Sequence, residues 1–147
     1  MSGPKVFLDT GIFIAAMNRH DRYHDRARAL FAGTPHPRWH TSVLVWSEAY
    51  NWFLAQHGDD AARAFGSMVA SLEGLVMFTA DEDHHARVCR MSDRLRHENL
   101  TYVDASTLVL IDEHDINTVW STDHRLGLTG AEVLPLSQRG DATVTLR

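Results

Sequence analysis

Residues 5–16 read KVFLDTGIFIAA, an apolar run interrupted by one carboxylate, Asp9. Val6 to Leu8 are apolar without alternation, the pattern of a parallel strand covered on both faces. Asp9 therefore falls at the C-terminal end of a buried strand. No cation adjoins it, because Lys5 is four residues back and Thr10 and Gly11 follow directly. Its partners have to come from elsewhere in the chain.

Working outward, residues 11–17 predict a short helix and residues 21–31 a second, which Gly33, Pro35 and Pro37 end. Residues 38–42 read as a strand that feeds a strongly apolar helix over 43–56. Gly58 and Asp59 then precede an amphipathic helix over about 60–72. A strand over 75–79, a long helix over 81–97 and another over 103–114 follow. The chain closes with a strand over 117–121, a short helical turn over 123–128 and an edge strand over 132–136. Strands alternating with helices imply right-handed crossovers and a mainly parallel sheet with helices on both faces. The expected fold is one α/β domain over residues 1–136, with a polar C-terminal tail over 137–147.

The 147 residues fit one domain that buries a core without disulfides or structural metal. With 44% hydrophobic and 22% charged residues, no apolar run approaches the roughly 20 needed to span a bilayer. The N-terminus carries no secretory pattern, and the single Cys89 forms no internal disulfide. A reducing cytoplasm is the expected compartment. The net charge of −5 argues against a protein that merely coats nucleic acid. It leaves room for a nuclease, since two bound divalent cations would bring −5 to −1.

Ligands of open α/β sheets bind beyond the carboxyl ends of the strands, near the point where strand order reverses. Asp9 and Asp123 both follow strands and so share that edge. Glu48 leaves the apolar helix 43–56 on a narrow polar stripe with Ser47 and Asn51. Asp104 stands in the first turn of the helix that continues through the apolar run 108–111. Taken singly, the three aspartates could cap helices or turns, and Glu48 could be an ordinary exposed helix residue. Together, four acids at one sheet edge with no lysine beside them repel one another unless protonated or bridged by cations. An oxygen-only cluster suits Mg²⁺ or Mn²⁺, and its chemistry is phosphodiester hydrolysis without a protein nucleophile.

Four stretches carry a family likeness. VFLDTGIFIAA (6–16), TSVLVWSEAYNWF (41–53), LTYVDASTLVLI (100–111) and VWSTDHRL (119–126), in this order and with these gaps, resemble the acidic motifs of PIN-domain proteins. They are most similar to the toxin half of VapBC-type toxin–antitoxin pairs, and the resemblance covers residues 5 to about 135. It implies a three-layer α/β/α sandwich with sheet order 3-2-1-4-5 and a metal-dependent endoribonuclease acting on RNA. A frequent homodimer and an antitoxin whose tail covers the acidic cleft with an arginine are implied as well. By position, Asp9, Glu48, Asp104 and Asp123 look like the family's catalytic metal ligands, with Thr10 and Ser121 as hydroxyl neighbours. Gly11 departs from the side-chain-bearing residue more usual after the first motif's hydroxyl.

Other readings are weaker. His20 and His24 have the i,i+4 spacing of a zinc pair, but no further ligand is fixed by sequence. His84 and His85 read as solvated or helix-N-terminal residues. Arg87, Arg90 and Arg94 share a helix face that either contacts phosphates or is simply solvated. An aspartate-nucleophile phosphatase would want an acid where Gly11 stands, and a phosphoacceptor receiver domain would want a late lysine, whereas the only lysine is Lys5. A PIN-like module that binds RNA or protein without cutting it is the non-enzymatic alternative. Phe13, Ile14 and Met17, expected as exposed apolar side chains on the first helix, favour the homodimer.

Overall fold

The computed structural model describes residues 3–136; the tail expected over 137–147 lies outside the described residues. Five parallel strands form one sheet: β1 Lys5–Leu8, β2 Arg38–Ser42, β3 Val76–Phe78, β4 Thr118–Ser121 and β5 Glu132–Pro135. Their order, β3-β2-β1-β4-β5, is the one expected. The α-helices between them are α1 Thr10–Met17, α2 His24–Ala32, α3 Val43–His57, α4 Asp59–Ala70, α5 Glu82–Arg94 and α6 Tyr102–Glu113. The chain lays down strands to one side of β1, then returns past it to add β4 and β5. Right-handed crossovers therefore put α1 to α4 on one sheet face and α5 and α6 on the other. This is the three-layer α/β/α sandwich.

Aromatic side chains tie the first face together. Alternation along the strands puts Trp39 and Trp120 on the same side, edge to face at 5.3 Å, with Phe31 of α2 against both. Phe13 of α1 stacks on Phe31 and meets Phe65 of α4 edge-on, while Phe53 and Trp46 of α3 also pack on Phe65. On the opposite face Phe78 lies between His40 and His114. Among the described residues no helix is long and apolar enough to cross a membrane.

Several local expectations need correction. Phe13 is wholly buried, because the Phe31–Phe65 cluster takes it into the core; of the three apolar residues expected outside, only Ile14 and Met17 are partly exposed. Helix α3 is less buried than its composition suggests: Val45, Ala49 and Phe53 face inward, while Val43 and Leu54 are exposed. Helix α2 starts later than expected, since Asp21 accepts from the Tyr23 N–H at 2.8 Å in a turn of its own. Helix α5 stops at Arg94, and residues 96–98 form a 3-10 turn ending at Asn99, whose φ of 56° is left-handed. Asn tolerates that conformation better than most residues, which lets the chain reverse before α6.

The sheet edge that carries Asp9 is pinned from β2. Thr41, fully buried, donates its Oγ1 proton to the Leu8 carbonyl at 2.8 Å, one residue before Asp9. Thr41→Val keeps the shape but leaves that carbonyl short of a donor. A loss of about 1–3 kcal/mol in urea unfolding is expected; a change below 0.5 kcal/mol would show that the bond does not hold the strand end.

Candidate active site

Leu8 pairs with Trp120, so β1 and β4 are neighbours and end together, and the Asp9 N–H donates to the Trp120 carbonyl at 3.1 Å. Between these two strands the order of the sheet reverses, which is where α/β sheets bind ligands. Asp9 occupies the N-cap position of α1, yet its side chain makes no cap hydrogen bond. It is only 5% exposed and accepts the Ser121 Oγ proton at 2.7 Å. Burial is the largest influence on its carboxyl. Hydrogen bonds from Ser121 and the Thr10 backbone oppose that influence, Asp104 and Glu48 add repulsion, and the pKa rises from 3.8 to about 7.

Helix α3 begins directly at the end of β2, where the Ser42 Oγ accepts from the Val45 N–H at 3.1 Å. Glu48 lies about one and a half turns further on. It is half-buried, whereas Ser47 and Asn51 of the same stripe are exposed. Thr10, adjacent to Asp9, donates its hydroxyl proton to Glu48 Oε1 in a short hydrogen bond.

Asp104 is buried in the first turn of α6 and completes a capping box. Its N–H donates to Thr101 Oγ1 at 3.1 Å, and its Oδ2 accepts from the Thr101 N–H at 3.0 Å. Asp123 caps the 3-10 turn His124–Gly127 by accepting from the Arg125 N–H at 3.0 Å. The capping geometry is thus realised at Asp104 and Asp123 and absent at Asp9.

One cation, unmarked by any lysine in the sequence, stands among these acids. Arg125, two residues beyond Asp123, bonds Asp123 through Nε and Nη2 at 2.6–3.2 Å and reaches Asp104 Oδ2 through Nη2 at 3.3 Å. Its Nη1 donates to the carbonyls of Glu98 and Asn99. Burial works against ionising Asp123, but these bonds outweigh it and hold the carboxyl below its ordinary value. The spacing Asp-x-Arg is visible in the sequence, but the partner is an arginine and not the lysine expected beside such acids.

The four acids therefore gather at one edge, and each is engaged by its own donor. Among the described residues no group of three or more His, Cys, Asp or Glu side chains is drawn in tightly enough to hold a metal ion. The donor chemistry nevertheless fits a hard divalent cation: the ligating atoms are carboxylate oxygens, and among the described residues no cationic side chain donates a hydrogen bond to Asp9.

The histidine and arginine candidates lie apart from this arrangement. His24 Nδ1 bonds the Ala15 carbonyl while His20 is exposed, so the pair shows no zinc geometry. His84 and His85 stand in the first turn of α5, as the helix-N-terminal reading has it, with the His84 N–H donating to the Asp81 cap; the His84 ring is buried against Ser106 Oγ at 2.7 Å because α5 packs on α6, while His85 is exposed. Arg87 pairs with Glu113, Arg94 bonds the Met91 sulfur, and Arg90 is exposed.

Residues 6–131 match the PIN domain family. The chain belongs to the PIN domain family. No curated protein matches it in sequence. Its fold is similar to that of Mycobacterium tuberculosis VapC20, a sarcin-ricin loop cleaving toxin, with a TM-score of 0.78 and 23% identity over 86% of this chain and 95% of that one. It is also similar to PAE2754 from Pyrobaculum aerophilum, with a TM-score of 0.56 and 19% identity over 89% and 84% of the two chains. Rickettsia felis VapBC2, solved bound to a DNA fragment from its promoter, shares the fold at a TM-score of 0.56 and 11% identity over 88% and 96%.

The glycine in this PIN domain's first motif has a steric cause. A Cβ on Gly11 would lie 2.4 Å from Thr122 Oγ1 and 3.2 Å from the Thr122 N–H, so Thr122 fills the space where a side chain at 11 would stand. Gly11→Ser should cost about 1–3 kcal/mol through overpacking. Gly11→Ser with Thr122→Ala should recover most of it. Equal destabilisation of the single and double variants in urea melts would refute the exchange.

Asp9 also predicts a pH dependence in chelator. Its folded pKa lies above the unfolded value, so between about pH 4 and 7 the folded state holds a proton that the unfolded chain has released, and stability falls as pH rises. Asp9→Asn removes this component. The variant should gain on wild type by roughly 2–3 kcal/mol between pH 5 and pH 8. A stability difference independent of pH would contradict the buried, repelled carboxylate.

Proposed function

We propose that this PIN domain is a divalent-metal-dependent endoribonuclease that hydrolyses RNA phosphodiester bonds as the toxin of a toxin–antitoxin pair. The observation that carries the reading is the buried Asp9 carboxyl, raised to about 7 beside Glu48 and Asp104 at the point where strand order reverses. A site that penalises its own negative charge favours a positive ligand. Family membership and the VapC-like fold support the choice of RNA over other phosphodiesters.

In this reading Asp9, Glu48 and Asp104 hold Mg²⁺ or Mn²⁺, and Asp123 completes the acidic edge. A cation held there would supply Lewis acidity to the phosphodiester and to an attacking water. The chain's own residues supply position. Ser121 fixes the Asp9 carboxylate, Thr10 fixes Glu48, and the capping box fixes Asp104 at the start of a rigid helix. A co-encoded antitoxin that covers the carboxylates, a homodimer and a cytoplasmic setting complete the proposal.

Purified protein should cleave RNA in the presence of Mn²⁺ or Mg²⁺ and lose cleavage in chelator. Single-stranded RNA and a sarcin-ricin-type hairpin are suitable substrates. Asp9→Asn, Glu48→Gln and Asp104→Asn should each reduce the rate at least a hundredfold, because a neutral amide is a poor ligand for a hard cation. Wild-type rates in Asp9→Asn would sink the assignment. The neutralisation of Asp104 and Asp123 by Arg125 lends weight to the second reading, a PIN-like module that binds RNA or protein without cutting. RNA binding without metal-dependent cleavage would favour it.

A further inference from the structure

The four acids are not equivalent in what their oxygens have left to offer. A carboxylate has about four lone-pair sites. At Asp123, Oδ1 accepts from the Arg125 N–H and Nε, and Oδ2 accepts from Nε and Nη2, so both oxygens carry two contacts. Asp104 gives only Oδ2, shared between the Thr101 N–H and Arg125 Nη2, and no described residue donates to its Oδ1. Among the described residues Glu48 receives only Thr10, on Oε1, and Asp9 receives Ser121 on Oδ2 together with the Thr10 backbone N–H, with no cation on either.

Arg125 is equally committed. A guanidinium has five N–H donors. Nε serves Asp123, Nη1 serves the Glu98 and Asn99 carbonyls, and Nη2 serves Asp104 and Asp123. No donor is left for a substrate phosphate, so Arg125 is a fixed part of the edge and not a transition-state contact.

We propose that Arg125 is the site's built-in counter-cation, a positioning residue that removes Asp123 from the ligand set, so that the chain takes one divalent ion on Asp9, Glu48 and Asp104. Arg125 sets the orientation of Asp104 from one side while the α6 capping box sets it from the other. Asp104 and Glu48 are both near enough to Asp9 to raise its pKa by repulsion, and a cation shared by the three would relieve that repulsion. Asp123 acts through Arg125 and does not touch the ion. The proposal rests on the metal-dependent reading above and deepens it.

The test is Mn²⁺ binding by calorimetry on the full chain, with electron paramagnetic resonance counting the bound ion; neither depends on knowing the RNA. Wild type should bind one Mn²⁺. Asp123→Asn should keep one ion with an affinity within about threefold, while Asp9→Asn and Asp104→Asn each weaken binding at least tenfold. Arg125→Gln, which removes three of the four contacts on Asp123 and one of the two on Asp104 Oδ2, should take up a second Mn²⁺. If Arg125→Gln loses its cooperative melt, Asp123→Asn decides alone. Two ions in wild type, one of them lost in Asp123→Asn, would overturn the proposal and leave metal-dependent cleavage standing. No Mn²⁺ binding at millimolar concentration in any variant would overturn both.

Discussion

A carboxylate buried at the end of the central strand is the constraint around which the rest of this domain is arranged. Moving the Asp9 pKa from 3.8 to about 7 costs its ionised form about 4 kcal/mol. That is a large fraction of the 5–15 kcal/mol by which a domain of this size is stable. A fold under selection for stability alone would place an apolar residue or a helix cap there. This one buries the acid, spends no cap bond on it, and brings Asp104 and Glu48 within its field. The electrostatic cost is a property of the site and not of helix formation.

The compensation is graded across the edge. Asp9, in the interior, receives one neutral hydroxyl and a backbone N–H; Asp104, at the start of α6, receives a backbone N–H and one arm of a guanidinium; Asp123, nearer the rim, receives most of that guanidinium. Four carboxylates and one arginine sum formally to −3. A single divalent cation would leave −1, while a second would leave the site positive. The internal arginine therefore changes the charge that a ligand must supply. It also explains why acid spacing by itself overstated the mutual repulsion: Arg125 had already offset much of it at two of the four positions.

Much of this was legible in the sequence. The apolar strand 6–8, the alternation of strands with helices and the acids at element ends determine the parallel sheet and the edge on which Asp9 and Asp123 meet. What escaped depends on tertiary contacts. Phe13 reads as a surface residue until the positions of Phe31 and Phe65 are known, and His84 reads as a solvated or helix-N-terminal residue, of which the second holds while its ring is buried by the packing of α5 on α6. The break after Arg94 is encoded only weakly, by the tolerance of Asn99 for a left-handed backbone. Arg125 was overlooked for a different reason, since its sequence spacing explains a contact with Asp123 but says nothing of its reach to Asp104, 21 residues earlier.

The supporting donors lie close in sequence to the acids, yet most serve an acid on a different element. Thr10 follows Asp9 but bonds Glu48 of α3; Ser121 closes β4 but bonds Asp9 after β1; Arg125 follows Asp123 but also bonds Asp104 of α6. The Ser121 hydroxyl in turn accepts the Asp123 N–H at 3.0 Å, which ties the loop after β4 to the carboxylate after β1. The neighbouring Thr122 occupies the space that a side chain at Gly11 would need, so the same loop also closes over the start of α1. Asp9, Glu48 and Asp104 are thus each bonded by a residue that sits on another acid's element, while Asp123 is held by Arg125 of its own turn. Small displacements of β1, α3, α6 or the loop after β4 would be felt at every carboxylate, because a packed interior transmits strain. The network makes the acidic edge and the strand ends a single mechanical unit, which is how a sheet edge that repels itself can remain ordered.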